Sequence, residues 1–230
     1  MVVPNVLKTY TIISLGEESQ FDTIIVDEVQ DFSPTWLNSI TSTLIKDQKD
    51  GCIYLLGDKS QSIFDREDFE AELEGFFTFE LFENLRNTKE IFNCYDSFTH
   101  NGCEAHGPNG DNVHFVKTAN ENIVKQIEKE VNKLVSQKLS LGDITVLSGS
   151  SPNKALTTLI ENNKFTTDIN EKSKVLLSTI HSFKGLENKV IIISNIDKIR
   201  DEFKKELLYV ACSRAKHILI VIGDEKDLAL

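Results

Sequence analysis

Short apolar runs alternate along this chain with helical patterns, and this alternation most constrains how the chain can fold. The predicted strands cover residues 10–15, 23–26, 52–56, 76–82, 113–116, 143–147, 175–179, 190–194 and 218–223. The predicted helices cover residues 34–45, 88–98, 120–136, 152–162 and 202–212. Strands and helices in a βαβ order require a parallel sheet covered by helices. The sequence therefore predicts an α/β fold.

The segment 100–112 is the one clear linker in the sequence, because it holds three glycines and a proline. A chain of 230 residues with 40% hydrophobic content can bury one good core or two modest ones. A βαβ series stands on each side of the linker. We therefore predict a first lobe at residues 1–103 and a second lobe at residues 104–230.

Charge and composition narrow the functional class. The formal net charge of −11 leaves no broad basic surface, so any nucleic-acid binding should be local and assisted by a partner. No apolar run approaches the roughly 20 residues that span a bilayer, and the first residues do not resemble a signal peptide. The four cysteines are widely spaced, which favours reduced thiols over a disulfide framework. These features predict a cytoplasmic protein that does not associate with membranes.

Acidic side chains crowd the end of the second predicted strand, in the run Asp27-Glu28-Val29-Gln30-Asp31. A buried strand explains residues 23–26, but packing does not explain adjacent carboxylates at its carboxyl end. Ligands bind at the carboxyl ends of strands in parallel α/β sheets, and Mg²⁺ is the usual cation beside such carboxylates. The alternative is a solvated turn between a strand and a helix.

Four more polar clusters lie at strand or helix ends. Residues 57–64 form a polar turn containing Gln61, and Asn84-Leu85-Arg86-Asn87 follows the strand predicted at 76–82. An arginine there could clamp phosphate oxygens, although a lone arginine more often forms a surface salt bridge. The segment 177–187 gathers hydroxyls with His181 and Lys184, and Arg214 follows the helix predicted at 202–212. A lone histidine is more often structural than a ligand, and an arginine at a helix end can be a simple cap.

One competing cluster suggests zinc: Cys94, His100, Cys103 and His106 lie within a short segment. Zinc prefers such ligands. However, Cys94 falls inside a predicted helix, and the spacing matches no standard finger pattern. We therefore do not predict a zinc site.

In their order along the chain, these clusters resemble motifs II to VI of the UvrD/Rep-like superfamily 1 DNA helicases. The matching segments are Asp27-Glu28-Val29-Gln30-Asp31 for motif II, Gly57-Asp58 with Gln61 for motif III, Asn84-Leu85-Arg86 for motif IV, Ser178-Thr179-Ile180-His181 with Lys184-Gly185-Leu186-Glu187 for motif V, and Tyr209-Val210-Ala211 with Ser213-Arg214-Ala215 for motif VI. A single match would carry little weight, but five in the right order are specific. The resemblance covers nearly the whole chain.

The resemblance implies two RecA-like parallel-sheet lobes, the first of them incomplete, with ATP and Mg²⁺ in the cleft between them. Asp27 would hold Mg²⁺, and Glu28 would activate the attacking water. Arg86 and Arg214 would neutralise the charge that develops on the γ-phosphate. Gln30 and Gln61 would sense that phosphate, Glu187 would face the ribose, and the other nucleotide contacts would be Gly57, Asp58, Lys184 and Gly185. Single-stranded DNA would lie near Phe64, Thr179 and His181.

Two departures from the family pattern affect these expectations. The sequence contains no Gly-x-x-x-x-Gly-Lys-Ser/Thr loop, the Walker A phosphate cradle. We therefore expect the cradle upstream of Met1 or in a companion chain, and predict that the isolated chain does not hydrolyse ATP. Leu85 stands where many relatives have a tyrosine that stacks on adenine.

The expected function is the C-terminal part of an ATP-dependent DNA helicase that moves on single-stranded DNA, as part of a longer protein or a split assembly. A nuclease subunit is a further expected partner. The alternative is a non-hydrolysing module, derived from a helicase, that binds nucleic acid or a nuclease. Retention of Glu28, Gln61, Arg86 and Arg214 favours the enzyme, because a binding module has no use for a carboxylate that activates water.

Overall fold

A computed structural model describes residues 21–43, 51–58, 61, 76–99, 102–150 and 154–224. Its contacts divide the chain into two compact units, residues 1–79 and 80–230. The strand predicted at 10–15, and Phe64 and His100, lie outside the described residues. No helix in the described part of the chain is long and apolar enough to cross a membrane.

The first unit contains a pair of parallel strands and one helix. Strand β1 (Thr23–Val26) pairs with strand β2 (Cys52–Leu55), with Val26 opposite Leu55. Helix α1 (Pro34–Thr43) follows a short 3₁₀ turn at Val29–Asp31. Pro34 suits the first position of a helix because its fixed backbone angle is already helical and it has no N–H to satisfy. The buried residues Val26, Val29 and Leu37 form the core of this unit.

The second unit contains a larger set of elements. In chain order they are β3 (Glu83–Asn84), α2 (Lys89–Thr99), β4 (Glu104–Ala105), β5 (His114–Lys117), α3 (Ile123–Ser136), β6 (Ile144–Ser148), α4 (Lys154–Glu161), β7 (Phe165–Thr166), β8 (Val175–Thr179), β9 (Asn188–Ser194), α5 (Lys204–Ser213) and β10 (Ala215–Gly223). Strands β3 and β4 form a small parallel pair. The other six strands form one parallel sheet in the order β5-β10-β9-β6-β8-β7.

The centre of the large sheet is buried and mostly apolar, as expected for a parallel sheet that is covered on both faces. Strand β9 lies between β10 and β6, and its residues from Val190 to Ser194 are all buried. Buried side chains of α3 and α4, including Ile127 and Leu159, pack with Val146 and Ile192 of the sheet. The predicted α/β class and the parallel sheet are confirmed.

The strand predicted at 76–82 is wrong. Residues 76–82 have no regular secondary structure, and only Glu83–Asn84 pairs, with Glu104–Ala105. Phe77, Phe79 and Leu81 are exposed. An extended apolar segment becomes a strand only when another strand accepts its backbone hydrogen bonds, and the local pattern of residues cannot reveal that partner.

The two compact units do not coincide with the predicted lobes, because residues 80–103 group with the second unit. Helix α2 in this segment buries Ile91, Phe92 and Tyr95. The ring of Tyr95 meets that of Tyr209 on α5 edge to face, with centroids 5.2 Å apart. The lobe boundary after residue 103 stays a prediction.

Candidate functional site

The carboxyl end of β1 presents two adjacent carboxylates, as the sequence predicts. Asp27 is exposed immediately after the strand, and the Glu28 backbone is left-handed, with φ 53°. This conformation is uncommon for a residue with a side chain and often marks a functional turn. The Glu28 N–H donates to Oδ1 of Asp27 over 2.9 Å, so the turn also orients the Asp27 carboxylate.

A buried glutamine links this turn to the end of β2. Nε2 of Gln30 donates to a carboxylate oxygen of Glu28, and Oε1 of Gln30 accepts the N–H of Asp58 over 3.1 Å. Nε2 of Gln61 donates to Oδ2 of Asp58 over 2.8 Å. The structure therefore brings together Asp27, Glu28, Gln30, Asp58 and Gln61, all of them predicted site residues.

Gly57 has a packing role at this junction. A Cβ there would lie 2.7 Å from Cγ1 of Val29 and 2.8 Å from Oε1 of Gln30. The Val29 N–H also donates to the Leu56 carbonyl over 2.9 Å, so the two segments approach closely. Any larger residue at position 57 would displace the Gln30 side chain.

The donors at the end of β1 fit Mg²⁺ that is held mostly by phosphate and water. Mg²⁺ commonly takes one or two carboxylates, with waters and substrate phosphates completing its octahedron. The exposed Asp27 carboxylate can serve as such a ligand. Within the described ranges, no three His, Cys, Asp or Glu side chains come close enough to form a metal cage.

The second unit gathers cations around a single carboxylate, Glu187. Nε of Arg86 lies 3.4 Å from Oε2 of Glu187, and Nζ of Lys216 contacts Oε1. The hydrogen bond from Lys216 lowers the pKa of Glu187 below its ordinary 4.5, and the charges of Lys216, Arg86 and Arg214 lower it further. Glu187 remains 39% exposed and Arg86 47% exposed. Residues from sequence segments about a hundred positions apart thus meet at one charged surface site.

Arg214 is held differently from Arg86. It follows helix α5 and is only 2% exposed. Nε donates to the Val210 carbonyl over 3.1 Å, Nη2 to Oγ of Ser213 over 2.9 Å, and Nη1 to the Leu186 carbonyl over 3.4 Å. Its guanidinium is therefore fixed by the protein beside the residue that precedes Glu187.

The turn after β8 holds the remaining described residues of the predicted site. Oγ1 of Thr179 accepts the Ser182 N–H over 3.1 Å and shapes the 3₁₀ turn at His181–Phe183. Desolvation lowers the pKa of His181 from 6.5, so its imidazole is neutral at pH 7. Gly185 has φ 79°, a conformation that favours glycine and lets the chain turn between Lys184 and Glu187.

Sequence reasoning missed two residues of this region. Asn87 is only 1% exposed and bonds to the carbonyls on either side of Arg214. Lys216 lies where the register between β10 and β9 shifts, between Ala215 and Ile218. Such irregularities re-aim side chains, here toward Glu187. Nothing in the sequence distinguishes Asn87 and Lys216 from ordinary polar residues.

Three residues of the competing zinc cluster, Cys94, Cys103 and His106, lie in the described part of the chain, and each contacts or is buried by other groups. Burial raises the pKa of Cys94, which lies on α2. Sγ of Cys103 lies 3.9 Å from the Leu81 carbonyl, and Nε2 of His106 lies 3.1 Å from Oε2 of Glu104. Leu85, in the place of the expected tyrosine, is exposed.

Comparison with known proteins gives three similarities. Residues 174–222 match the model of the UvrD-like helicase C-terminal domain family. The chain is 33% identical over 60 residues to the RecBCD enzyme subunit RecB of Chlamydia muridarum, a match that covers 25% of this chain and 6% of that protein. A solved structure, the C-terminal domain of a possible DNA helicase from Lactobacillus plantarum WCFS1, aligns with a TM-score of 0.50 and 23% identity. The alignment covers 61% of this chain and 88% of that chain, and it supports the parallel α/β fold of the sheet.

Proposed function

We propose that this chain is the C-terminal part of an ATP-dependent DNA helicase or translocase, because residues 174–222 match the model of the UvrD-like helicase C-terminal domain family. In this proposal ATP hydrolysis drives movement along single-stranded DNA. The matched segment contains the turn after β8, Glu187, Arg214 and Lys216. It therefore includes most of the charged cluster of the second unit.

The observation that carries the proposal is the meeting of Arg86 and Arg214 around Glu187. Nε of Arg86 lies 3.4 Å from Glu187, and Nη1 of Arg214 donates to the carbonyl of the preceding residue, Leu186, over 3.4 Å, although 128 residues separate the two arginines in sequence. Two guanidinium groups near one carboxylate, Arg86 exposed and Arg214 buried, would stabilise the negative charge that develops on a transferring phosphoryl group. A carboxylate beside them suits a ribose hydroxyl, which is the role we propose for Glu187. Lys184 and Gly185 would contribute to the same nucleotide site.

The proposed metal ligand and the proposed base both lie in the first unit. Asp27 would hold Mg²⁺, which would neutralise phosphate charge, and Glu28 would accept a proton from the attacking water. The hydrogen bond from Gln30 fixes the carboxylate of Glu28. Through Asp58, the same network includes Gln61, which we propose as a sensor of the terminal phosphate.

Single-stranded DNA is the proposed track. With a net charge of −11, contact would be local, and we assign it to the turn that contains Thr179 and His181. A neutral imidazole can donate a hydrogen bond to a base and accept a hydrogen bond from a base. RecB is named as a subunit of an enzyme, and we propose that this chain likewise works in an assembly, with a nuclease subunit among its partners.

The proposed assembly must supply a Walker A loop, which does not occur in these 230 residues. Without it, the β- and γ-phosphates lack their backbone cradle and lysine. We therefore expect no ATP turnover from the 230 residues alone. The same observation favours the second candidate, a non-hydrolysing module that binds nucleic acid or a nuclease.

The test is ATP hydrolysis by the native assembly, purified from its source through a tag on this chain, with and without single-stranded DNA. We expect DNA-stimulated hydrolysis that Glu28→Gln lowers by about 100-fold or more, the usual scale for loss of a general base. Asp22→Asn, which changes an exposed acid at the other end of β1, is the matched control and should leave turnover unchanged.

Two results would contradict the proposal. Turnover that is insensitive to Glu28→Gln would remove the base from its proposed role. An assembly without hydrolysis that still binds single-stranded DNA would support the non-hydrolysing module. Turnover by the purified 230 residues alone, abolished by Glu28→Gln, would refute the predicted need for an additional Walker A segment.

A further inference from the structure

Asn87 connects two distant segments of the second unit. Its Nδ2 donates to the Ser213 carbonyl over 3.0 Å and to the Ala215 carbonyl over 2.7 Å. Those two carbonyls lie on either side of Arg214, and Asn87 itself directly follows Arg86. One buried side chain therefore joins the segment that carries Arg86 to the backbone on either side of Arg214.

The other half of the amide is also fully engaged. Oδ1 of Asn87 accepts from the Tyr95 hydroxyl over 2.9 Å and from Nδ2 of Asn84 over 3.1 Å. The Asn87 N–H donates to Oδ1 of Asn84 over 3.1 Å. Because carbonyls only accept, the two bonds to Ser213 and Ala215 fix which end of the amide carries the NH₂ group.

The surroundings hold Asn87 in place. A Cβ on Gly107 would lie 1.8 Å from the Asn87 carbonyl oxygen, so the chain passes directly against its backbone. Tyr95 packs edge to face on Tyr209 of α5, which ties the accepting side of the amide to the helix that leads to Arg214. Movement of Asn87 would therefore require movement of the packed pair of helices.

We infer that Asn87 is a positioning residue that sets the separation of Arg86 and Arg214. The catalytic consequence rests on the proposed function, but the connection itself does not. Only an amide of this length can donate twice to backbone carbonyls and accept twice on its other end. An aspartate would place oxygens against carbonyl oxygens, and an alanine would leave two buried carbonyls without these donors.

The experiment uses Asn87→Ala and Asn87→Asp, with Asn93→Ala as the matched control because Asn93 is an exposed asparagine on α2. In the 230-residue chain, amide hydrogen exchange reports the position of Arg214, since the Asn188 N–H donates to the Arg214 carbonyl over 3.1 Å. We expect the protection of this amide to fall about tenfold or more in both Asn87 variants and to remain unchanged in Asn93→Ala. Unchanged protection in the Asn87 variants would overturn the inference, whatever the assembly does with ATP.

The catalytic consequence is measured as ATP turnover of the native assembly. We expect Asn87→Ala to lower kcat by about tenfold or more with little change in KM, because misplaced phosphate-binding groups act mainly in the transition state. In an Arg86→Ala background, the same substitution should lower kcat by less than about twofold, because the pair no longer exists. An equal loss of kcat in the unmodified and the Arg86→Ala backgrounds would refute the positioning role of Asn87. If the unmodified assembly shows no turnover, the proposed function fails and the exchange result alone decides the inference.

Discussion

Glu187→Gln isolates the charge of the one carboxylate around which the cations of the second unit gather. The substitution keeps the shape of the side chain and removes its negative charge. Arg86 and Lys216 then lose their ionic partner, while the amide oxygen can still accept a hydrogen bond. The change therefore tests electrostatics with little effect on packing.

The expected loss of stability is small because the ion pairs around Glu187 are partly exposed to solvent. Exposed ion pairs contribute about 0.2–1 kcal/mol each, and Glu187 is 39% exposed. With two direct pairs, we expect the variant to be about 0.5–1 kcal/mol less stable at pH 7 and low salt. At 1 M salt, where the Debye length is about 3 Å, most of this difference should disappear.

The pH dependence follows from the lowered pKa of Glu187. A carboxylate whose folded-state pKa lies below its ordinary 4.5 stabilises the folded state above pH 4.5. That contribution is lost as the pH falls through the lowered pKa. The difference in stability between the unmodified protein and Glu187→Gln should therefore be constant from pH 7 to about pH 5 and shrink below pH 4.5.

The assay is urea unfolding of the 230-residue chain, followed by circular dichroism between pH 4 and pH 7 at two salt concentrations. Glu202→Gln is the matched control, because it removes one exposed pair, with Arg200, and should cost about 0.3 kcal/mol or less. Equal stability of Glu187→Gln and the unmodified protein at pH 7 would refute the reasoning. A difference that grows as the pH falls would refute it as well.

Two further substitutions test the packing of the second unit. Gly107→Ala should cost about 1–3 kcal/mol or more, because its Cβ would lie 1.8 Å from the backbone oxygen of Asn87, which cannot rotate away. An unchanged melting temperature would contradict this close approach. Ile192→Ala removes a fully buried side chain from the central strand and should cost about 2–5 kcal/mol in urea unfolding. Ile169→Ala, on an exposed isoleucine, should cost about 0.5 kcal/mol or less, and equal losses at the two positions would contradict the assigned core.

Much of the second unit could be predicted from its sequence, because buried strands of parallel sheets need continuous apolar residues. The run at 190–194 became the core of β9, and the helix predicted at 202–212 appears as Lys204–Ser213. The strand predicted at 76–82 failed for the opposite reason. Its apolar residues satisfy the local pattern, but no strand in the described part of the chain pairs with residues 76–82.

The same distinction applies to the candidate site. The position of Asp27 and Glu28 at the end of β1 could be predicted, because a strand and the residues after it are local in sequence. The bridge from Gln30 to Asp58 spans 28 residues, and no pattern in the sequence indicates it. Lys216 also required the structure, since a register shift between neighbouring strands directs it toward Glu187.

The sequence by itself determined most of the helices and of the longer strands, the parallel α/β class and the residue types available for phosphate chemistry. These properties depend on hydrophobic periodicity and on short motifs, and both involve residues that are close together in sequence. Only the tertiary structure decided that Arg86 pairs with Glu187 beside the buried Arg214, and that Asn87 bonds to the carbonyls on either side of Arg214. Contacts of this kind form between residues more than a hundred positions apart, and they depend on how a helix and a sheet pack rather than on any local preference.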